Sequence, residues 1–354
     1  MTLGRLGKNL LRRVNIDVEP YPWVGSGTHA WLHYDSGSTS HVCQIQFRFE
    51  GTITIDWGDG SETETVTNSS SSVVTKSHTY QNGMFRLDIT GAVIDFGSYT
   101  WNGSAFTYKN YYGCGFMTDD SGFSTNYVQC ASRRDALLQF ETDATSFVGV
   151  GNPGYFQLGT CRNLKWMKFT EATVIANAAL GNMIGLIGLF APKCLRVWNF
   201  VSSYAFPSLR KLELPSLASL FDEANARQGT WFYEMPCLEE FDLASTVTML
   251  PSNFLQGCLS LRQLTLSSGL SGTLTALCAG GCRSINRIII PEGITELAGE
   301  SFRIASNAEY VEFPSTFTTV SNTWAFYGMT GLKTIVCKAT TPPTLAHNYI
   351  LNGG

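Results

Sequence analysis

Few residues of this chain have the types and spacing that catalysis or metal binding requires. Cys278 and Cys282 stand four positions apart, but no second cysteine pair at zinc-finger spacing accompanies them. His29, His33 and Asp35 lie close together in sequence, yet zinc needs a further ligand and a fixed scaffold. The chain also lacks a G-x-S-x-G elbow, an H-E-x-x-H pair and a phosphate-cradling glycine loop. We therefore predict that the protein is not an enzyme and has no cofactor.

Three acidic residues near one turn, Asp56, Asp59 and Glu62, raise the question of calcium. A calcium site needs about six or more converging oxygens. The Asp59-Gly60 dipeptide is also a strong hairpin signal, because such a turn needs positive φ. A turn without metal is our prediction, and calcium binding near Asp56 and Asp59 stays open as the alternative.

A degenerate phrase, Leu-Arg-x-Leu-x-Leu, recurs through the C-terminal part of the chain and sets the elements that must position any site. Its nine copies begin at residues 135, 164, 195, 209, 238, 261, 285, 308 and 332. The last five copies are 23 or 24 residues apart, within the range of about 20 to 29 that is typical of leucine-rich repeats. Because one repeat cannot bury its apolar face alone, we predict a solenoid over 135–354.

Strand alternation predicts which side chains of this phrase face outward. The first, fourth and sixth positions are apolar and should face inward, so the third and fifth should face outward. We therefore take Trp166, Lys168, Arg287 and Tyr310 as candidates for a binding face. The outward positions as a set are chemically mixed, which suits a protein or glycan partner but is also typical of an ordinary solvated sheet.

The ten cysteines are better explained by burial than by disulfides. Cys161, Cys258 and Cys282 each lie three residues before the first position of a repeat, where other repeats carry Phe, Met or Ala. A slot that accepts these residue types is apolar, and free cysteine behaves there as a small hydrophobe. We predict reduced, buried thiols in the repeats.

Residues 41–92 alternate apolar and polar side chains with a period of two, which predicts a small β-sandwich. Two motifs, Trp57-Gly-Asp-Gly60 and His78-Thr-Tyr80, stand in the order found in PKD-type immunoglobulin-like domains, which this segment resembles. The resemblance implies a spacer or adhesion module. We therefore expect a mainly β protein, with a small PKD-like β-sandwich followed by a leucine-rich-repeat solenoid.

Residues 93–134 form a connector that is rich in aromatic residues. Nine of the 29 residues in 99–127 are aromatic, and they are mixed with Gly, Ser and Asn. We favour the interpretation that these rings cap the first coil of the solenoid, which must be covered. The alternative is a ligand or subunit contact, since Tyr gives contact area at low entropic cost, and it makes Tyr108, Tyr111 and Tyr112 further binding candidates.

Residues 1–40 are predicted to be an extended N-terminal arm. Its basic residues, which we take as candidates for anchoring the chain in an assembly, are Arg5, Lys8, Arg12 and Arg13. Leucines between them are spaced as on one helix face, so the arm should order when a partner supplies apolar surface. The alternative is a terminus that stays disordered.

Composition narrows the partners. A net charge of −4 and a pI near 5.8 argue against nucleic acid, which selects a basic stripe. No run of about 18 apolar residues is present, so no membrane insertion is predicted. The N-terminus lacks the apolar core of a secretory signal, so we expect either another export route or release of the protein inside a particle.

Three segments of the late repeats share a further pattern: Phe254-Leu-Gln-Gly-Cys-Leu-Ser-Leu261, Ile290-Pro-Glu-Gly-Ile-Thr-Glu-Leu297 and Ala325-Phe-Tyr-Gly-Met-Thr-Gly-Leu332. They resemble the BspA-type leucine-rich repeat, a family common on surface adhesins of anaerobic gut bacteria and in proteins of the viruses that infect them. The resemblance implies binding rather than catalysis.

We expect a structural or adhesion component of a bacteriophage virion, of the fibre or decoration type. It would contact other virion proteins through the arm and a host surface protein or glycan through the solenoid, with self-association as a further alternative. The alternative function is a BspA-type adhesin at the bacterial cell surface.

Overall fold

The computed structural model describes most of the chain. The described residues are 28–34, 40–70, 72–91, 106–108, 115–118, 139–142, 146–148, 164–176, 183–198, 206–221, 232, 234–321 and 324–346. They form strands and turns without an α-helix, so the predicted mainly β class is confirmed. Within these segments no helix is long and apolar enough to span a bilayer.

The chain divides into two compact units. The first comprises residues 1–145 and 154–170, and the second comprises residues 146–153 and 171–354. The strands of the first unit are β1 (Thr28–Tyr34), β2 (His41–Arg48), β3 (Gly51–Asp56), β4 (Glu64–Asn68), β5 (Val73–Tyr80), β6 (Gly83–Gly91), β7 (Phe106–Tyr108), β8 (Gly115–Thr118), β9 (Gln139–Thr142) and β11 (Trp166–Phe169). The strands of the second unit are β10 (Ser146–Val148), β12 (Val174–Ala176), β13 (Gly188–Phe190), β14 (Arg196–Trp198), β15 (Lys211–Glu213), β16 (Glu240–Asp242), β17 (Gln263–Thr265), β18 (Gly272–Leu274), β19 (Arg287–Ile289), β20 (Ile294–Leu297), β21 (Tyr310–Phe313), β22 (Thr319–Val320), β23 (Thr334–Cys337) and β24 (Thr344–Leu345).

Two sheets make up the first unit. One has the order β4-β3-β6-β1-β8-β9-β11, and it is antiparallel as far as β8 and parallel beyond it. The other has the antiparallel order β5-β2-β7. Alternation explains their apolar faces, since β3 buries Ile53 and Ile55 while β2 and β5 bury Cys43, Ile45 and Tyr80. The strands predicted between residues 41 and 92 are therefore present, in two sheets.

Strands also lie where the sequence predicted none. β1 falls in the range assigned to the arm and pairs with β6 along its whole length, from Thr28 opposite Ile89 to Tyr34 opposite Gly83. Because β6 pairs with β3 on its other side, β1 satisfies an edge that would otherwise be unpaired. β8 lies in the connector range and pairs both with β1 and with β9, the strand of the first predicted repeat.

Parallel strands, stacked repeat upon repeat, build the second unit into a β-solenoid. The front sheets are β13-β15, β16-β17 and β19-β21-β23, and the back sheets are β10-β12-β14 and β18-β20-β22-β24. In the longest front sheet Arg287, Tyr310 and Thr334 lie side by side. These three residues are 23 and 24 positions apart, so one turn of the solenoid corresponds to one copy of the phrase.

The predicted inward and outward positions are confirmed from residue 209 to residue 313. The third and fifth positions of each front strand are exposed or half-buried. Apart from the half-buried Leu264, the fourth positions are buried. The buried first, fourth and sixth positions are Leu209, Leu212, Leu214, Leu238, Phe241, Leu243, Leu261, Leu266, Ile285, Ile288, Ile290, Ala308, Val311 and Phe313.

The prediction was wrong at residues 195–200. Leu195, predicted to face inward, is 49% exposed, and Val197, predicted to face outward, is buried. The strand here, β14, belongs to a back sheet, and the front strand of this repeat is β13 in Leu186-Ile-Gly-Leu-Phe-Ala191. With Leu186 as the first position, the distances to the neighbouring repeats become 22 and 23 residues, which restores the period. Both sheets use short apolar strands, so the phrase alone does not distinguish them.

A residue with positive φ recurs six positions before each front strand from β16 to β23. The residues at this position, which we call the turn ladder, are Glu234, Gly257, Gly281, Ile304 and Gly328. The first four of them donate a backbone N–H bond to the adjoining repeat, over 2.6–2.8 Å. The repeats are therefore joined at the turns as well as through both sheets.

The last described front strand departs from the pattern. Ile335 of β23 stands at a fourth position, yet it is 48% exposed, whereas Val311 at the equivalent position of β21 is buried. The sixth position, Cys337, is exposed as well. Within the described residues no further front strand pairs with β23. The outer edge of β23 is therefore not covered there as the edges of the earlier front strands are.

Candidate functional site

Outward side chains of two pairs of front strands, β16–β17 and β19–β21, form the surface that we call the repeat face. They are exposed or half-buried, because inward packing uses only the alternate positions of each strand. The residues of the repeat face are Glu240, Asp242, Gln263, Thr265, Arg287, Ile289, Tyr310 and Glu312. The face changes from acidic at β16, through neutral polar at β17, to basic and aromatic at β19 and β21.

Ionic and aromatic contacts concentrate at the β19–β21 end of the repeat face. The guanidinium carbon of Arg287 lies 4.1 Å from the centroid of the Tyr310 ring, a cation–π contact. The Tyr310 hydroxyl donates a 2.5 Å hydrogen bond to Glu312 Oε2, and Lys338 Nζ lies 2.6 Å from the other carboxylate oxygen. Arg287 Nη2 stands 3.7 Å from Glu312. Arg287 therefore stacks on the ring, and the Glu312 carboxylate contacts Tyr310, Arg287 and Lys338.

The titration of these groups follows from the contacts. The hydrogen bonds from Lys338 and then from Tyr310 lower the pKa of Glu312 below its ordinary value, so the carboxylate stays ionised at neutral pH. The bond to Glu312 raises the pKa of Tyr310, and the same carboxylate raises the pKa of Lys338. With Arg287 also charged, the cluster carries two positive charges and one negative charge. Glu292 also acts on Lys338, so this end of the face presents an aromatic ring among two cations and two carboxylates.

The structure brings together two of the predicted binding residues, Arg287 and Tyr310. Lys168 is half-buried in the first unit, with Nζ 3.8 Å from the buried Glu141 carboxylate. The backbone of Tyr108 lies opposite Cys43 in the β2–β7 pairing. Six of the predicted residues lie outside the described part of the chain: Tyr111, Tyr112, Arg5, Lys8, Arg12 and Arg13.

Trp166 differs from its prediction as an outward binding residue, because it is only 5% exposed. It lies opposite Gln139 of β9, and Gln139 and Glu141, which stand at outward positions of β9, are buried too. The outward side of this pair of strands is therefore covered rather than solvated. Trp166 serves packing there, and a ligand would not reach it from solvent.

The residues around the Trp57-Gly-Asp-Gly60 turn lock a hairpin of the first unit. β3 and β4 pair antiparallel on either side of it, so the predicted hairpin is confirmed. His78 Nε2 lies 2.7 Å from Asp59 Oδ2, and its ring stacks on Trp57 with centroids 4.7 Å apart. The buried Tyr80 hydroxyl donates to the Trp57 carbonyl oxygen. The motif residues therefore contact each other as one structural cluster.

Asp59 takes its electrostatic character from this turn. Partial burial opposes its ionisation, but hydrogen bonds from His78 and Ser61 outweigh burial and hold the pKa of Asp59 at about 2. Its Oδ1 accepts bonds from the Ser61 N–H and hydroxyl, and Asp56 Oδ1 accepts the Gly58 N–H. In the described segments no group of three or more His, Cys, Asp or Glu side chains converges as metal ligands would.

The cysteines of the repeats occupy the predicted apolar slot. Cys258 and Cys282 are fully buried and unbridged, and their thiols donate to Phe232 O and Leu255 O. Burial raises the pKa of Cys278 to about 12, and contact with Cys258, together with burial, raises the pKa of Cys282. The prediction of buried, reduced thiols is confirmed at these positions, while Cys161 lies outside the described residues.

Sequence reasoning missed two sets of exposed residues. Lys338 lies one residue beyond the last phrase, although it contacts Glu312 of the repeat face. Trp324 and Tyr327 lie at a turn of the solenoid, outside the front strands that supplied the predicted ladders. The signal that could have found both rings is the repeat period, because residues 24 positions earlier, at the equivalent turn, are not aromatic.

Comparison with known proteins gives a family match for the late repeats. Residues 225–343 match the model of the BspA type leucine rich repeat region in six copies. This match does not extend to residues 41–92, so the resemblance to a PKD-type domain rests on its two motifs. A search of curated proteins finds no match to this chain.

Two solved structures are similar to the chain. One is a leucine rich cell surface protein from Faecalibacterium prausnitzii A2-165, with 15% identity over 58% of this chain and 65% of that one, and a TM-score of 0.31. The other is a leucine-rich repeat protein from Bacteroides ovatus ATCC 8483, with 16% identity over 66% of this chain and 61% of that one, and a TM-score of 0.36. The chain thus spans less than two thirds of either protein's length. The conclusion of these comparisons is that residues 225–343 carry repeats of the BspA type.

Proposed function

We propose that this chain is a non-enzymatic adhesion protein that acts at a bacterial cell surface and binds a host protein or glycan through the repeat face. The observation that carries the proposal is the row of outward side chains on β16, β17, β19 and β21, which ends in the cluster of Arg287, Tyr310 and Glu312. Arg and Tyr are enriched among residues that dominate binding energy at interfaces. The contacts within the cluster hold these two side chains in place before a ligand arrives, which lowers the entropic cost of binding.

The bacterial surface replaces the virion as our preferred location. Six copies of the BspA-type repeat support it, because repeats of this type are common on surface adhesins of gut anaerobes. The virion component expected from the sequence rests on the basic arm, and no comparison supports it. The surface adhesin therefore becomes the leading function and the virion component its alternative.

The location is tested with antibodies against residues 225–343. We expect them to label intact, unpermeabilised cells of the bacterium that produces the protein, and protease treatment of those cells should remove the label. Label found only on purified phage particles would overturn the surface location and favour the virion component.

Binding is tested with the full chain immobilised on beads and exposed to host extracellular proteins and mucin. The double variant Arg287→Ala/Tyr310→Ala should lose at least about tenfold in affinity, because two contact side chains are removed. A matched control is Lys211→Ala, which removes an exposed cation from the front strand β15. Equal binding by the double variant and the control would contradict the assigned face.

The arm is proposed to attach the protein to other components of its assembly. Four basic residues among leucines suit a segment that orders on an acidic and apolar partner. Deletion of residues 1–20 should leave the thermal unfolding midpoint unchanged and release the protein from the surface or particle into the medium. Normal retention of the shortened protein would contradict this role.

A further inference from the structure

Two exposed aromatic rings stand together at one turn of the solenoid. Trp324 is 43% exposed and Tyr327 is 37% exposed, and their ring centroids are 6.2 Å apart at an interplanar angle of 50°. Among the described residues whose exposure the structure gives, they are the only aromatic side chains in the exposed class. Other large rings of the solenoid, such as Phe302 and Phe254, are fully buried, so this exposure is not a general property of the fold.

A charged pair from the preceding repeat supports the rings. The guanidinium carbon of Arg303 lies 5.3 Å from the Trp324 centroid and 5.7 Å from the Tyr327 centroid. Arg303 Nη1 donates a 2.7 Å bond to Glu300 Oε2, which fixes the guanidinium plane. Both ionic side chains are partly exposed beside the rings. We call these four residues, Glu300, Arg303, Trp324 and Tyr327, the aromatic step.

The repeat period explains how the aromatic step arises. Trp324 follows Glu300 by 24 residues and Tyr327 follows Arg303 by 24 residues, so each ring occupies the turn position that a charged residue holds one repeat earlier. The step is rigid, since the Tyr327 carbonyl oxygen accepts a 2.7 Å bond from the Ile304 N–H and the Tyr327 N–H donates to Trp324 O. The rings are thus presented on fixed backbone before any ligand arrives.

The donors of Arg303 are only partly used within the described protein. The bond to Glu300 engages one nitrogen, and the buried Nε has no hydrogen-bond acceptor there. A guanidinium offers five N–H donors in a planar fork. The partly exposed guanidinium lies against the two exposed rings, so together they form a small surface with both apolar and hydrogen-bonding character.

We propose that the aromatic step is a binding site for neutral glycan chains. A sugar ring has an apolar C–H face and a rim of hydroxyls, and the negative face of an aromatic ring attracts weakly positive C–H groups. Trp324 and Tyr327 stack against successive sugar faces, while Arg303 donates to hydroxyl oxygens and Glu300 accepts from hydroxyls. The proposal deepens the proposed adhesion function, on which it rests, by assigning a ligand class and a site separate from the repeat face.

A glycan fits the aromatic step better than a protein surface does. A stable protein interface buries about 800 Å² on each partner around apolar anchors, whereas the exposed apolar surface here is limited to two rings. The equivalent turn positions of the two earlier repeats carry Leu277, Gly280, Asn253 and Gln256, which add no further ring. Two rings with adjoining polar groups match the size of a few sugar units.

The test is native gel electrophoresis of the full chain in gels that contain galactomannan, xyloglucan or mixed-linkage β-glucan. We expect at least one polysaccharide to retard the protein, and we expect Trp324→Ala and Tyr327→Ala each to weaken the retardation at least tenfold. Trp324→Phe should keep part of it, because a ring remains. The matched control Met249→Ala removes an exposed apolar side chain elsewhere in the solenoid and should migrate like the unmodified chain.

Two outcomes would overturn the glycan site: no retardation by any of the three polysaccharides, or retardation that both ring variants retain while their unfolding midpoints stay normal. Capture of a deglycosylated host protein that depends on both rings would assign the step to protein instead. Surface labelling and repeat-face binding that persist without polysaccharide retardation would leave the adhesion function standing. Retardation without surface labelling would instead remove the surface location and keep the glycan site.

Discussion

Single residues with unusual backbone angles carry part of the cost of stacking these repeats. Three of the five turn-ladder residues are glycines, with φ of +76° at Gly257, Gly281 and Gly328. Ile304 takes the same position at +61°, where a β-branched residue is rare. Its N–H bond to Tyr327 O shows why the angle is kept, since the turn must aim this group at the next repeat. The interaction between repeats therefore outweighs a local preference.

Gly281→Ala isolates this backbone term. A Cβ on Gly281 would meet nothing closer than 3.6 Å, so its effect comes from the left-handed φ rather than from a clash. We expect a loss of about 1 kcal/mol in the free energy of unfolding, measured by urea denaturation. Gly281→Asn is the matched control and should lose less, because Asn tolerates this region better. Equal stability of Gly281→Ala and the unmodified chain would show that the turn adjusts freely.

The Asp59–His78 pair predicts how acid affects the first unit. The folded pKa of Asp59, about 2, lies below its ordinary value of 3.8. The stabilisation is therefore complete above about pH 4 and is lost as the pH falls towards 2. Its size is on the order of 1 kcal/mol once solvent screening of the partly exposed pair is allowed for.

Asp59→Asn should remove the acid-dependent decrease in the unfolding midpoint. The midpoint is measured by the near-ultraviolet circular dichroism of the stacked Trp57. Asp88→Asn is the control, since it leaves Asp59 and His78 in place and should retain the decrease. An acid profile that is the same in both variants would exclude the pair as its origin.

At the scale of strands, the sequence predicts the late repeats well and the early ones less well, for a physical reason. From residue 209 to residue 313 each copy of the phrase places one apolar residue on the front strand and one on either side. Only one assignment of inward and outward positions buries all three. Around residues 186–200 two apolar strands follow closely, and only the period separates front from back. The copy at 195 has the Leu-Arg start but lies on a back strand, whereas the front strand lies in the copy that begins at Leu186, which lacks that start.

The candidate site was predictable only in part. Arg287 and Tyr310 follow from alternation within strands, and their predicted outward positions are confirmed. The burial of Trp166 was not predictable from alternation, because the outward side of β9 and β11 is covered, as the buried Gln139 and Glu141 show. The aromatic step was not predicted, because its rings lie on turns, where strand alternation does not determine which way a side chain points.

Ile288→Asp tests the strand register. Ile288 is buried opposite Val311, and an unpaired buried carboxylate costs several kcal/mol. Since repeat stability passes between neighbours, we expect the adjoining repeats to unfold at a lower temperature in calorimetry. Arg287→Ala, one residue away but exposed, is the matched control and should cost no more than about 1 kcal/mol. An unchanged melting curve for Ile288→Asp would refute the register.

At the scale of the whole molecule, the described solenoid has one edge that its own strands do not cover. β23 exposes Ile335 at a position that is buried in the previous strand, and β24 exposes Leu345. Open parallel edges with apolar side chains are prone to pair with other chains. The self-association considered from the sequence therefore has a definite place to be tested.

Ile335→Lys places a charge on this edge. We expect it to reduce concentration-dependent association in sedimentation velocity without lowering the unfolding midpoint, because an exposed position tolerates lysine. Thr334→Lys adds the same charge at the neighbouring outward position of β23 and serves as control. A chain that stays monomeric at all concentrations would show that the edge is covered in solution.

The alkylation rates of the buried thiols report how often the repeats of the solenoid open. Cys337 is exposed and should react with an alkylating agent at once, whereas Cys258 is buried in one repeat and Cys278 and Cys282 are buried in the next. Their alkylation requires a transient opening, so each labelling rate measures the free energy of opening one coil. Comparison of the Cys258 rate with the rates of Cys278 and Cys282 by mass spectrometry would resolve whether the two coils open singly or together. The answer matters for the proposed binding through the repeat face. A coil that opens alone would release part of a ligand while the remaining coils stay bound.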